Sequence, residues 1–306
     1  MGLLLEKSLA PNATGLHLFS EYETSPNSYD LQVGLTQVRK CVVSDMDNDK
    51  KPDIMLFSSG YDGMPFPGDS LAIFYPKDIK YQFLGQDIGY YHGGATGDIN
   101  NDGLIDIIAY SGGSAVIPVH PTSYLNKGNR NFELNKQVFK NFNQGPDNYY
   151  TVELFDINKD GNLDLFLGSS KILRVIPSSN GIFDRAKAIN FQVDSNLELM
   201  DIAFLDFDFD GKIDVLTMSN KEGYNGYGLR LYLNKDNGFI ESTKNYFDVT
   251  DEIGKGAWIK WIRLFDYDGD GDLDVVADGL FGNLNGNKGR RIYWKNESGK
   301  FKQVKL

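Results

Sequence analysis

Cysteine is nearly absent from this 306-residue chain: Cys41 stands alone, so no disulfide framework can hold the fold. It sits in KCVVSD beside two valines, the setting of a buried thiol and not of a nucleophile. Histidine occurs three times, too seldom for a histidine-rich transition-metal site. No apolar run approaches the ~18 residues that a membrane-spanning helix needs. The opening MGLLLEKSLAPNATG places three leucines before Glu6, short of the apolar core of a secretory signal. Basic charge is in deficit too. Lys and Arg number 31 against 42 Asp and Glu, a net charge of −11 that argues against nucleic acid as a partner. Sustained helical periodicity is also missing, which excludes a helical solenoid.

What the chain has is a repeat. DMDNDKKPDIML begins at Asp45, DINNDGLIDIIA at Asp98, DINKDGNLDLFL at Asp156, DFDFDGKIDVLT at Asp206 and DYDGDGDLDVVA at Asp266. All five carry Asp at positions 1, 5 and 9 and Asp or Asn at position 3, followed by an apolar run. A stretch of β character precedes each loop and a short buried strand follows it. Beyond these, SYLNKGNRNF, LYLNKDNGF and IYWKNESGKF read as strand, polar turn and strand. Each unit is therefore expected to run strand, acidic loop, strand, connection, strand, turn, strand. A four-stranded antiparallel unit recurring about every 50 residues is the pattern of a β-propeller blade. The fold class expected is all-β, a propeller with five motif-bearing blades over residues 37–306, and six or seven if a degenerate part is counted. Residues 1–36 lack the motif but contain the probable strand TGLHLFSEYE, and are an N-terminal extension or a partial blade.

The loops have the chemistry of calcium sites. Calcium takes six to eight hard oxygen ligands, and alternating side chains in a tight loop point several at one centre. An EF-hand would need a bidentate Glu at position 12, where Leu56, Ala109, Leu167, Thr217 and Ala277 stand instead. The loop must close with the Asp at position 9. The expected ligands are Asp45, Asp47, Asp49 and Asp53; Asp98, Asn100, Asp102 and Asp106; Asp156, Asn158, Asp160 and Asp164; Asp206, Asp208, Asp210 and Asp214; and Asp266, Asp268, Asp270 and Asp274. Position 7 adds the carbonyls of Lys51, Leu104, Asn162, Lys212 and Asp272. Glycine at position 6 supplies a positive φ; Lys50 replaces it in the first loop, which makes that site the weakest. Asp272 adds negative charge to the last, expected to be the strongest. Motif positions hold 18 of the 42 acidic residues, a self-repulsion that about five Ca²⁺ would relieve.

These loops, with the short strand and YLNxxxGxF-like turn after them, resemble FG-GAP/VCBS repeats. The resemblance implies a calcium-stabilised propeller in an extracellular, periplasmic or cell-surface setting. The triplets Asn12-Ala13-Thr14 and Asn296-Glu297-Ser298 would allow glycosylation on a eukaryotic secretory route.

A ligand is expected on the face opposite the loops, where the first strand of each blade begins. Arg39, His92, Tyr150 and Lys260 lie six residues before a loop, and Tyr90 and Trp258 lie eight before; Tyr91 sits between Tyr90 and His92. Aromatics mixed with cations and amides suit a glycan or an extracellular protein. Glu153 and Arg263, three before a loop, are expected to face a central channel. Three functions compete: a non-enzymatic binding or adhesion module, a propeller-fold polysaccharide lyase with His92 or Tyr150 as base beside Arg39 or Lys260, and a scaffold domain of a larger surface protein.

Overall fold

The computed structural model describes Leu3–Glu6, Leu16–Ser20, Asn27–Tyr29 and residues 34–305, apart from positions 62, 115, 143–147, 171, 193–196, 255–256, 260 and 278–291. The chain forms two compact units, Met1–Leu167 with Arg174–Asn190, and Gly168–Leu173 with Phe191–Leu306. The described structure is all-β but for one short α-helix and three 3₁₀ turns.

Strands β1 (Leu3–Glu6), β2 (Leu16–Ser20) and β3 (Asn27–Tyr29) make a three-stranded antiparallel sheet before the first repeat. The repeats then form sheets whose strands follow one another in sequence. The first is β4 (Val38–Ser44), β5 (Asp53–Ser58), β6 (Asp69–Tyr75) and β7 (Lys80–Gly89). The second is β8 (Tyr91–Gly97), β9 (Asp106–Ser111), β10 (His120–Asn126) and β11 (Phe132–Leu134). A small sheet uses β12 (Phe139–Lys140), and the third repeat begins with β13 (Thr151–Phe155), β14 (Asp164–Gly168) and β15 (Ile172–Ile176). Strands β16 (Ser178–Ser179) and β17 (Ile182–Asp184) complete the small sheet, and β18 (Ile189–Gln192) is the fourth strand of the third. The fourth contains β19 (Leu197–Leu205), β20 (Asp214–Lys221), β21 (Gly226–Lys235) and β22 (Gly238–Glu241), with β23 (Asp251–Ile253) added against β21. The fifth is β24 (Ile262–Phe265), β25 (Asp274–Ala277), β26 (Ile292–Asn296) and β27 (Phe301–Lys305).

Every acidic loop thus joins the first and second strands of its sheet, as the sequence implies. The strand after the loop is buried throughout in four sheets and in all but its last residue, Lys221, in the fourth repeat, which explains why it reads as an unbroken apolar run and not as an alternation. In the first unit one core gathers Met55, Phe57, Ile73, Tyr91, Ile107 and Tyr124. In the second, Leu216, Met218, Leu231, Val275, Trp294 and Phe301 pack together. Cys41 is a buried thiol in no disulfide, as its valine neighbours imply.

Glycines in β8 let its neighbours close in. A Cβ on Gly93 would sit 2.8 Å from the Tyr150 carbonyl oxygen of the adjoining sheet, and one on Gly94 would sit 1.9 Å from Phe57 Cε1. The ion pair between buried Lys40 of β4 and Glu153 of β13 runs across this thin strand, and Lys40 Nζ also donates to the Val152 carbonyl at 2.8 Å. Within the second unit Arg263 of β24 does the same, donating to buried Asp201 of β19 at 2.9 Å. Glu153 and Arg263, the two charges expected on first strands, are both tied between sheets. Gly94→Ala is expected to cost about 2 kcal/mol through forced repacking. Gly85→Ala, with open space around its Cβ, should be near neutral in the same urea denaturation series.

Candidate functional site

The acidic loops owe their shape to hydrogen bonds from their own backbone. Asp98 at position 1 accepts from the N–H of Asp102 at 3.0 Å and of Gly103 at 2.8 Å. Asp45, Asp156 and Asp206 repeat both bonds, while Asp266 accepts from Gly269 and Gly271. At position 5, Asp102 accepts from the N–H of Leu104 at 3.0 Å, and Asp49, Asp160, Asp210 and Asp270 do likewise with position 7. Closing these rings requires two left-handed residues. Position 6 has φ of 86° at Gly103, Gly161 and Gly211, and Lys50 adopts 66° in its place. Position 4 is left-handed as well, at Asn48, Asn101, Lys159, Phe209 and Gly269, a requirement that no shared residue type reveals.

Position 9 does two jobs. Its Asp is buried in all five loops, and one oxygen accepts from the N–H of position 2: Met46, Ile99, Ile157, Phe207 and Tyr267. The other oxygen accepts from a residue beyond or at the end of the third strand: Asn126 to Asp106 at 2.8 Å, Ser178 to Asp164 at 3.1 Å, Asn234 to Asp214 at 2.7 Å and Asn296 to Asp274 at 2.8 Å. The three asparagines complete the clasp, donating their side-chain amides to the position-8 carbonyls of Ile105, Ile213 and Leu273. They are the shared Asn of the YLN and WKN turns, read from sequence only as turn residues. Asn296 is thereby buried and engaged, so the Asn296-Glu297-Ser298 triplet offers no free amide for glycosylation. Asn12 lies outside the described residues.

Carboxylate oxygens gather at three loops. Asp45, Asp47 and Asp53, then Asp206, Asp208 and Asp210, then Asp266, Asp268 and Asp274 each offer oxygens lying within 4.8 Å of one another. Two ligands of one Ca²⁺, each about 2.4 Å from it, are up to about 4.8 Å apart, so these sets fit a hard cation. The donors are all oxygens, with no imidazole or thiolate, which suits calcium over zinc or copper. In the second and third loops an amide holds position 3, and Asn100 and Asn158 donate to Asp102 and Asp160 at 3.0 Å. Protein cations sit beside some of the same oxygens: Arg130 on Asp47, Lys235 on Asp208 and Asp210, and Lys295 on Asp268 and Asp270.

Neighbouring carboxylates and burial divide the loop aspartates by charge. Burial, reinforced by the other loop carboxylates and only partly offset by the backbone N–H bonds, pushes Asp53, Asp106 and Asp164 up to about 6. Asp214 and Asp274 shift the same way for the same reason. At position 5 four aspartates shift down, through Lys77 at Asp49, the Asn162 backbone at Asp160, Lys235 at Asp210 and the Asp272 backbone at Asp270.

The strand-entrance row is partly assembled. The residue six before the loop is the extra residue of a β-bulge in three sheets: Arg39 between Val38 and Lys40, His92 between Tyr91 and Gly93, and Met200 between Leu199 and Asp201. In the first unit the rings of Phe66, Tyr90, His92 and Tyr150 form a ladder with successive centroids at 5.8, 4.9 and 5.3 Å. Arg39 donates to Ser59 Oγ at 3.0 Å. Tyr91 is a correction. It is fully buried with its hydroxyl 3.1 Å from Thr122 Oγ1, so it belongs to the core and not to a rim; Tyr90, also expected on the rim, is buried as well. In the second unit Trp258 packs against Tyr224 at 5.5 Å. Lys260 lies outside the described residues.

Antiparallel sheets that each carry this one acidic loop between their first two strands define an all-β repeat protein. The FG-GAP-like repeat matches residues 98–167, 156–217 and 206–277, each match running from the first aspartate of one loop to position 12 of the next. These cover more than half of the chain, which belongs to the FG-GAP-like repeat family. Among solved structures, one described as the extracellular domain of a hybrid two component system from B. thetaiotaomicron is similar over 100% of this chain and 32% of that one. The TM-score is 0.53 at 14% identity, a likeness of fold. No curated protein matches the chain.

Two outcomes test the clasp. Asp106→Ala strands two buried N–H groups, and a loss of about 3 kcal/mol is expected on chemical denaturation. Asp53, Asp106 and Asp164 have folded-state values above the ordinary 3.8, so their protonation favours the fold. That contribution is complete below about pH 4 and lost as pH rises through about 6. In EDTA, the stability of the parent relative to Asp164→Asn should therefore fall between pH 4 and 6.5.

Proposed function

We propose that this chain is a calcium-stabilised extracellular repeat module that binds a glycan or protein ligand along its strand-entrance row. The observation that carries the binding reading is the bulge repeated six residues ahead of the loop. A bulge re-aims a side chain at the cost of a ladder bond, and such features concentrate beside functional sites. Here it presents Arg39 and His92, next to an aromatic ladder of the kind that stacks on sugar rings or anchors a protein hot spot. Packing of His92 between Tyr90 and Tyr150 favours a contact surface over a general base.

Calcium would be held by the side chains at positions 1, 3, 5 and 9 and would supply the positive charge that lets buried position 9 stay ionised. The reading of an extracellular setting rests on the family and on the similar extracellular domain, and on the need for abundant calcium at sites of this type.

Each loop saturated at a hundredfold over its dissociation constant adds about 2.7 kcal/mol. EDTA is thus expected to lower the melting temperature by roughly 5–10 °C per lost site, and excess calcium should restore it. An unchanged melting temperature would end the calcium reading. Lys235→Met removes a cation from Asp208 and Asp210 and should tighten calcium at the fourth loop about tenfold in a calorimetric titration. For the ligand, Tyr150→Ala should abolish a glycan-array or pull-down signal while leaving the calcium-dependent melting temperature in place. A signal unaffected by that change would place the ligand elsewhere.

A further inference from the structure

The first two sheets carry an apolar crest at the end remote from their acidic loops. β5 leaves its loop at Asp53 and ends at Ser58, so the connection 59–68 to β6 lies at that far end; the connection 112–119 between β9 and β10 lies likewise in the second sheet. Apart from Asp62 neither connection has a charged residue, in a chain where 24% are charged. Tyr61 is 57% exposed, Met64 74% and Val116 56%. The turns that present them are nevertheless tightly held. The Phe66 N–H donates to the Gly63 carbonyl and the Ser114 N–H to the Ile117 carbonyl, both at 2.7 Å. The Ser114 hydroxyl donates to the Phe66 carbonyl at 2.7 Å and clips one turn to the other. Gly60 and Gly68 close the base of the longer connection, where a Cβ on Gly60 would sit 2.3 Å from the Gly68 carbonyl oxygen. Phe66, left-handed at φ 56°, has its ring 5.8 Å from that of Tyr90, so the crest runs into the aromatic ladder of the strand-entrance row.

We infer that this crest docks a protein partner, which sets an uncharged apolar segment against Tyr61, Met64 and Val116. The inference rests on the strand-entrance reading above and chooses a protein over a glycan as its ligand. Exposed apolar surface that is rich in Met and aromatics and poor in charge is the composition of an interface core. Turns already fixed by hydrogen bonds lose little entropy on binding, so the apolar contact is retained as affinity. A sugar would set hydroxyls against Met64 and Val116, which return no hydrogen bond, and would bear the desolvation cost. Neither connection has a Lys or Arg to meet anionic lipid headgroups. A second copy would set projecting turn tip against turn tip, with a net charge of −11 on each chain. The charge-free crest matches an uncharged segment, since a charge brought against it would be desolvated without a partner.

The test pans a phage-displayed library of random dodecapeptides on the calcium-loaded full chain, then measures the resynthesised peptides by fluorescence anisotropy. Enriched peptides are expected to share an uncharged core of Leu, Met, Phe or Trp. Met64→Lys and Val116→Lys should each weaken their binding tenfold or more at unchanged melting temperature. Ile79→Lys, at a side chain 76% exposed in the turn on the acidic-loop end of the first sheet, should leave it unchanged. No enriched peptide, binding that survives both crest substitutions, or equal weakening by Ile79→Lys would overturn the inference. So would sedimentation of the parent as a dimer that Met64→Lys dissociates, because a second copy would then be the occupant. A glycan signal abolished by Tyr150→Ala and kept in Met64→Lys would sink the crest and leave the strand-entrance reading standing. Peptide binding lost in Met64→Lys and kept in Tyr150→Ala would uphold the crest and remove the ladder from the contact.

Discussion

The structure depends on a buried carboxylate in each repeat, the aspartate at position 9. An ionised group in an apolar setting is costly unless its oxygens are filled. Here one oxygen takes an N–H from its own loop and, in four repeats, the other takes one from a residue beyond or at the end of the third strand. The clasp fixes the register of three strands at once, because position 9 is also the first residue of the second strand. Burial and the surrounding carboxylates still push this Asp toward protonation, to about 6 at Asp106 and Asp164. The proposed divalent cation at the loop mouth would add positive charge there, and Lys235, Lys295 and Arg130 already place protein cations on the loop carboxylates Asp208, Asp268 and Asp47.

Neighbouring repeats are joined by polar contacts around these loops. Asn126 of the second sheet donates to the Met46 carbonyl of the first loop at 2.9 Å, and Arg130 from the same sheet reaches Asp47 while stacking 3.8 Å over the Tyr75 ring. Asn101 of the second loop meets Asn162 of the third at 3.2 Å. On the first strands, Lys40–Glu153 and Asp201–Arg263 link sheets inside each unit. A cation bound at one loop, as proposed, would therefore also order the surface against which the next sheet packs.

Much of this was legible in the residues. Five aspartate ladders with an apolar run after each place the loops, the strands flanking them and the rejection of an EF-hand, because charge alternation and burial both leave a mark on residue type. Position 4 escaped notice: Asn, Asn, Lys, Phe and Gly share a left-handed backbone and nothing else. The bulge at Arg39, His92 and Met200 escaped too, since it arises from register between two strands and not from any one side chain. Tyr91, beside the bulge and expected on the rim, is buried instead. The asparagines of the YLN and WKN turns were visible, but only the fold shows that they reach back to the loop.

The most direct measurement is calcium stoichiometry on the intact chain, by equilibrium dialysis of protein stripped with EDTA. The account predicts about five ions per chain, with one lost for each position-1 substitution such as Asp206→Ala, because every loop supplies its own ligands. Binding of no calcium at millimolar free ion, or a stoichiometry unmoved by Asp206→Ala, would contradict it.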